Sequence, residues 1–361
     1  MKKTKVLFVL PDLIPGGAER IVVNIANNLP VENYECVIAL LKYTEHSFAE
    51  QLSENIKIEN LKLSRFRHLI LKPWIFLRLI KKVKPIVVFS AYGELNPLVV
   101  LFSYFFPKIR FIARETSIPS LRYSRWVLIK ATKILYGFFD KIIVQSEYMY
   151  SDLQMNFNIN SEKLILIRNM VDTDKIDSYL TKSNFLPRHE EKIRILYVGS
   201  ITKQKGVMRV LNYFDQISEI RNGLELIIVG DGPLYSELKE VVSRSRNQSS
   251  IFLYAYDKNP YKYMANSDFL IIASDYEGFP NVGLEANYCG LPLIVSSQTK
   301  GGAHELIIKN MNGIIVDLGE CDLPYLKVKF NPKLIRNHIL EKYSAESIIE
   351  DYKKLFQNLN A

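Results

Sequence analysis

Long apolar runs are missing from this sequence. Its longest candidate, residues 95–107, falls well short of the ~20 residues that span a bilayer, so no membrane-crossing helix is expected. Cysteine is scarce: Cys36, Cys289 and Cys321 are an odd set without metal-ligand spacing. That excludes a disulfide framework and points to a reducing compartment. Tandem repeats and low-complexity tracts are missing too. The opening Met-Lys-Lys-Thr-Lys is basic, yet residues 6–10 are only a short apolar run ended by Pro11 and Asp12, unlike the apolar stretch of a secretion signal. A cytoplasmic protein is expected. With 48% hydrophobic and 24% charged residues over 361 positions, the composition suits a globular chain of two α/β domains.

What the sequence does have is positive charge, unevenly placed. Residues 1–180 carry 25 Lys and Arg against 17 Asp and Glu, and residues 181–361 carry 22 against 21. The excess concentrates in residues 62–84, where Lys62, Arg65, Arg67, Lys72, Arg78, Lys81, Lys82 and Lys84 alternate with apolar residues such as Trp74 and Phe76, without an acid. Three readings fit this segment. It suits an anionic membrane surface, at about 1 kcal/mol per basic residue near lipid. It also suits a helix whose apolar face is core and whose lysines are solvated. Nucleic-acid binding is the third, and no recognised binding motif accompanies it.

Short apolar runs alternate with helical spacing along the chain. Runs at 5–10, 35–40, 56–60, 86–90, 109–113, 141–145 and 163–167 read as strands, and the pattern restarts at 193–198, 224–229, 251–255, 269–273 and 293–296. Such alternation predicts parallel sheets covered on both faces, with ligands at the carboxyl ends of the strands. The polar, proline-containing stretch 181–191 reads as a linker. It separates a first domain, 1–180, from a second, 192–340, with a last helical segment at 341–361.

Motifs fall at the predicted strand ends. Pro15-Gly16-Gly17-Ala18-Glu19 follows the first strand, where glycines admit a ligand close to the backbone. Gly199-Ser200-Ile201-Thr202-Lys203-Gln204-Lys205-Gly206 and Gly230-Asp231-Gly232-Pro233 close strands of the second series. After strand 269–273 comes the densest stretch, in which Gly278 and Pro280 form a turn and a helix runs to Gly290 before Pro292. This places Glu277 in a loop and Glu285 on a helix, beside a helix N-terminus whose N–H groups attract phosphate. Ser146 and Asp172 sit where helix caps are expected.

These motifs, in order and over essentially the whole chain, resemble the retaining GT-B glycosyltransferases of family 4, whose Glu-x7-Glu signature Glu277 and Glu285 match. The resemblance implies two Rossmann-like β/α/β domains facing a central cleft, with a C-terminal helix crossing back to the first. It implies a donor site of Gly16, Gly17, Gly199, Ser200, Lys205, Gly230, Gly278, Phe279, Pro280, Asn281, Val282 and Glu285, and catalysis by Glu277, Lys205 and Arg114. Glu285 is expected on the nucleotide ribose and Glu277 near the transferred sugar; a covalent intermediate on Glu277 stays open. The chain departs from the family where Ser200 replaces an arginine, with Lys203 as a candidate substitute. It departs again where Arg114 and Glu115 stand in place of a histidine, and where Met170 replaces a glycine.

Sugar transfer from a nucleotide-sugar to a hydroxyl is therefore expected, with neither cofactor nor metal. Lys205 and backbone N–H groups near Gly16, Gly17, Asn281 and Val282 would stabilise the departing diphosphate, and domain closure would exclude water. Asp172-Thr173-Asp174 matches an Asp-x-Asp metal signature of another architecture, but capping accounts for Asp172. His304, in a Gly-Gly-x-x-Glu-like loop, reads as a local hydrogen-bonder. A UDP-linked hexose or N-acetylhexosamine donor is expected, with a glycan acceptor, lipid-linked, in bacterial surface-polysaccharide synthesis at the cytoplasmic face of an anionic membrane; no nucleic-acid partner is expected. The alternative is a non-catalytic sugar-nucleotide sensor or assembly partner of the same fold.

Overall fold

A computed structural model of the chain describes residues 3–14, 16–45, 48–123, 126–181, 191–321 and 323–360. It divides into two compact units, Met1–Met170 with Ala345–Ala361, and Val171–Ser344. Each is built on its own parallel sheet with helices on both faces.

Seven strands form the first sheet: β1 (Thr4–Leu10), β2 (Tyr34–Leu40), β3 (Lys57–Asn60), β4 (Val87–Ser90), β5 (Arg110–Arg114), β6 (Lys141–Val144) and β7 (Leu164–Leu166). Their order is β3-β2-β1-β4-β5-β6-β7, parallel throughout, with Val6 opposite Cys36 on one side and Val87 on the other. Side chains alternate across a strand, so one run serves two cores. Val6, Phe8 and Leu10 face one apolar cluster while Leu7 and Val9 face another. Burial on both sides is why these strands read as continuous apolar runs. Chain order reverses between β1 and β4, and that reversal opens a crevice at their carboxyl ends.

The helix Ala345–Asn360 belongs to this first unit. Ile348, Ile349, Tyr352, Leu355 and Phe356 recur at helical spacing and are buried in the cluster that holds Phe8 and Phe89. Phe356 lies 5.9 Å from Tyr34 and 6.4 Å from Phe89, ring centre to ring centre.

In the second unit β8 (Ile193–Val198), β9 (Leu224–Val229), β10 (Ile251–Tyr254), β11 (Phe269–Ile272), β13 (Leu293–Ser296) and β15 (Gly313–Val316) form a sheet ordered β10-β9-β8-β11-β13-β15. A separate parallel pair, β12 (Tyr276–Glu277) and β14 (Lys300–Gly301), joins the segments that follow β11 and β13 and was not legible in the sequence. Here the order reverses between β8 and β11.

Residues 171–181, read from sequence as the end of the first domain and the start of the linker, pack in the second unit. Val171 and Ile176 are buried in its core, and Asp177 accepts hydrogen bonds from Tyr288 (2.9 Å) and Arg336 (3.0 Å). Asp172 caps the helix Thr173–Thr181 by accepting from the Lys175 N–H at 3.1 Å. Residues 182–190 of the expected linker lie outside the described residues. Among the described residues no helix is long and apolar enough to cross a membrane.

Phe356 is fully buried against three rings, so Phe356→Ala should destabilise the protein by about 3–5 kcal/mol. Urea unfolding measures this; a loss below ~1 kcal/mol would mean that the last helix contributes little to the first core.

Candidate functional site

In the second unit, two loops leave the strands that flank the reversal of chain order: the one after β8 and the one after β11. Their backbones touch. Gly206 has φ 70°, and a Cβ there would overlap the Ala273 carbonyl, so only glycine lets the helix Val207–Ile220 start so close to the end of β11. Four polar links then lock the loops. Gln204 Nε2 donates to the Tyr276 carbonyl (2.6 Å), and the Asp275 N–H donates to the Gln204 carbonyl (2.7 Å). Arg209 donates to the Ala273 carbonyl through Nε (3.1 Å) and pairs with Asp275 at 2.8 Å.

The fixed loops bring Lys205 and Glu277 together. Lys205 Nζ lies 2.6 Å from Glu277 Oε1, and Ser274 Oγ donates to the same oxygen at 2.5 Å. Lys205 keeps about a third of its side chain exposed and Glu277 about an eighth, so the pair faces solvent from a partly desolvated position. Glu277 is also held through its backbone, paired in β12 opposite Gly301 of β14. Beneath it lies Tyr197, whose hydroxyl donates to the Ser200 carbonyl at 3.0 Å. Burial first, and the charge of Glu277 second, push its phenol well above the usual range.

The remaining predicted residues take distinct places. A Cβ at Gly230 would overlap the Gly199 carbonyl, so Gly230 serves the stacking of the β9 loop on the β8 loop, with Ile201 N–H donating to the Asp231 carbonyl at 2.8 Å. Ser200 and Lys203 are exposed at the loop tip. Gly278, Phe279 and Pro280 are buried; Phe279 packs 5.7 Å from Tyr343 and anchors the turn. Asn281, Val282 and Glu285 are half-buried on the helix Asn281–Tyr288 that follows. His304 contacts the Ser296 carbonyl at 2.9 Å, a local bond. Sequence reasoning gave no role to Ser274, Gln204, Arg209 and Tyr197, because no local spacing marks the contacts they make in the fold.

In the first unit Gly16 is extended (φ −152°) and caps the helix Gly17–Asn28. A Cβ there would overlap the Glu19 carboxylate, so the loop carries its own acid beside the helix N-terminus. Burial raises the Glu19 carboxyl, its own backbone N–H lowers it, and Asp12 raises it further. Next to it, at the carboxyl ends of β1 to β4, is a cavity of about 410 Å³ lined by Asp12, Glu19, Lys42, Arg65, Phe66 and Tyr92. The Phe66 and Tyr92 rings are 5.7 Å apart.

Arg114 ends β5 and is 1% exposed. Its guanidinium donates to Tyr352 Oη at 3.2 Å and to Asn169 Oδ1, which ties the sheet to the last helix. That is a tethering position and not an open one. Glu115 beside it is fully buried and accepts from Tyr136, while its Oε2 has no hydrogen-bond partner among the described residues. Ser146 caps the helix Glu147–Phe157 by accepting from Met149 N–H at 3.2 Å.

Two units of this topology define the GT-B fold. Anabaena Alr3699/HepE, solved in complex with UDP and glucose, matches 98% of this chain and 100% of its own with a TM-score of 0.78 at 16% identity. The family profile described as Glycosyltransferase Family 4 matches residues 15–175, and that described as Glycosyl transferases group 1 matches residues 180–322. The chain belongs to the family 4 glycosyltransferases, a family that includes enzymes of bacterial polysaccharide synthesis. It is 27% identical to the N-acetylgalactosamine-N,N'-diacetylbacillosaminyl-diphospho-undecaprenol 4-alpha-N-acetylgalactosaminyltransferase of Campylobacter jejuni, covering 84% of this chain and 83% of that one. To the amylovoran biosynthesis glycosyltransferase AmsD of Erwinia amylovora it is 26% identical, over 88% and 87%.

Glu115 has a consequence for stability. Burial outweighs its bond from Tyr136 and lifts its carboxyl from 4.5 to about 7. A raised acid stabilises the fold below its unfolded value and loses that contribution as pH climbs through the folded value. The loss should approach roughly 3 kcal/mol between about pH 4.5 and pH 7. Urea midpoints of wild type and Glu115→Gln, compared at about pH 5 and about pH 8, should differ in their pH dependence, the variant being flatter. Parallel profiles would mean that Glu115 titrates normally.

Proposed function

We propose that this glycosyltransferase is a retaining, metal-independent enzyme that moves a hexose or N-acetylhexosamine from a UDP-linked donor to a lipid-linked glycan, in the assembly of a bacterial surface polysaccharide. The observation that carries this is the Lys205–Glu277 pair at 2.6 Å, set at the strand ends where chain order reverses and beside the helix that bears Glu285. Crevices of this kind are where α/β sheets bind nucleotides.

Lys205 holds the positive charge that a departing diphosphate requires, assisted by the N–H groups that open the helix Asn281–Tyr288. Glu277 accepts sugar hydroxyls and stabilises positive charge at the anomeric carbon. Ser274 and the β12–β14 pairing fix its carboxylate, so little reorganisation is needed as charge develops. Glu285 binds the ribose, as the family resemblance implies. Metal independence is supported by Lys205, which supplies the positive charge that a divalent ion would otherwise bring. The lipid-linked acceptor draws support from the Campylobacter relative's diphospho-undecaprenol acceptor. In the first unit, the 410 Å³ cavity has carboxylates for hydroxyls and two rings for a sugar face, which supports an acceptor place there.

Thermal stabilisation by nucleoside diphosphates with chelator present tests the donor site. UDP should raise the melting temperature, and Lys205→Ala should weaken UDP at least tenfold, the worth of one charge-assisted hydrogen bond. Glu277→Gln should keep UDP binding while kcat falls about 100-fold or more. No stabilisation by any nucleotide, or an unchanged kcat in Glu277→Gln, would refute the assignment. The anomeric configuration of the product, read by NMR, decides retention.

A further inference from the structure

Within residues 62–84 the inner face of a helix is core, as the second of the three readings expects, while Ile70, Leu71 and Trp74 are exposed. The helix Pro73–Val83 buries Phe76, Leu79, Ile80 and Val83 in the core and exposes Lys81 and Lys82, the second paired with Glu59 at 2.7 Å, with Trp74 half-exposed at its start. A different part of the first unit exposes more apolar surface. Tyr104 is 87% exposed and Trp126 66%, and Phe105, Val127, Ile134 and Phe138 are each more than half exposed. They come from two segments, Leu101–Phe105 and Trp126–Phe138, both joined to the short helix Asn96–Val100: the first continues it and the second packs on it.

The helix Trp126–Leu135 is amphipathic in the reverse sense. Trp126, Val127, Lys130, Lys133, Ile134 and the following Phe138 recur at helical spacing and face outward, while the polar Thr132 is buried. Lys130 Nζ lies 5.0 Å over the Trp126 ring. Lys108 is exposed after the other segment, and Lys108, Lys130 and Lys133 have no carboxylate partner among the described residues. Between residues 95 and 139 the sole acid is Glu115, which is fully buried.

We propose that this face docks on an anionic phospholipid surface, with Trp126, Phe138, Tyr104 and Phe105 entering the headgroup boundary and Lys108, Lys130 and Lys133 meeting lipid phosphates. The composition selects lipid over a second protein surface. Cores of protein interfaces are depleted in lysine, whereas lipid-facing surfaces combine aromatic rings with lysines whose stems lie along the apolar zone. Two segments that expose lysines and no acid of their own suit a negatively charged leaflet. The proposal deepens the lipid-linked acceptor reading, since it brings the enzyme to where such an acceptor resides, but its test uses neither donor nor acceptor and fails or succeeds apart from that reading.

The chain has two tryptophans, Trp74 and Trp126, which makes each a reporter once the other is replaced. Full-length protein is mixed with vesicles of phosphatidylcholine alone or with added phosphatidylglycerol, and read by flotation and tryptophan emission. Trp74→Phe should float with the anionic vesicles and shift its Trp126 emission to the blue, while Trp126→Phe should float with little shift from Trp74. Lys130→Gln with Lys133→Gln should weaken binding about thirtyfold, at about fivefold per lysine. Trp126→Ser with Phe138→Ser should abolish it, with circular dichroism confirming the fold. No flotation of the wild type, a shift confined to Trp74, or wild-type binding by both double variants would overturn the proposal. A concentration-dependent dimer lost in Trp126→Ser with Phe138→Ser would also overturn it, as a second copy would then cover this face.

Discussion

The Ala273 carbonyl lies where any side chain at position 206 would have to be, and the candidate donor site depends on that contact. With glycine there, the start of one helix rests on the end of β11, and Gln204, Arg209 and Asp275 close the polar groups that the contact leaves. The result is a rigid pair of loops. Lys205, the residue before Gly206, is thereby set beside Glu277. Gly230 repeats the device on the other side, since its backbone stacks on the Gly199 carbonyl. Close backbone approach, more than any side-chain contact, places the charges. This is the physical advantage of building a site on strand ends, where neighbouring loops inherit the sheet's geometry.

The first unit treats charge differently. Its sheet closes around buried polar groups: Arg114 bonded to Tyr352 and Asn169, and Glu115 bonded to Tyr136. Both sit at the carboxyl end of β5, the position where ligand-contacting groups usually gather, yet both point into the protein. A buried guanidinium that bonds neutral oxygens costs desolvation, and its return is positional: it fixes the last helix on the sheet. The carboxyl beside it lowers the cost of its own burial by staying protonated up to about pH 7. The cavity of this unit instead opens among Asp12, Glu19, Phe66 and Tyr92, at the crevice between β1 and β4.

The same unit departs from the usual rule that apolar side chains turn inward. Helix Pro73–Val83 obeys it, burying Phe76 against Phe102 at 4.8 Å. Helix Trp126–Leu135 breaks it: it buries Thr132 and half-buries Ile129, while its outer face carries the large residues. Exposed apolar surface of that extent, interleaved with lysine, is uncommon on a protein that meets only water.

Sequence alone determined most strands, most helices and the family. These are local properties: period 2 against 3.6, a glycine or proline at each turn, and an acid pair with seven residues between its members on one strand–loop–helix unit. The caps at Ser146 and Asp172 were legible for the same reason. What only the tertiary structure decided is whatever joins distant segments. Lys205 and Glu277 are 72 positions apart and meet because β8 and β11 are sheet neighbours, an order that no local spacing encodes. Arg114 looked like a ligand-binding residue from its place at a strand end; the helix that covers it lies 238 positions later. Residues 171–181 read as part of the first domain because they follow its last strand, and Asp177 binds them to the second through Tyr288 and Arg336. The exposed face around Trp126 was hidden for a related reason: an apolar helix reads the same in sequence whether its stripe meets a core or an outer surface, and the packing of its neighbours alone decides which.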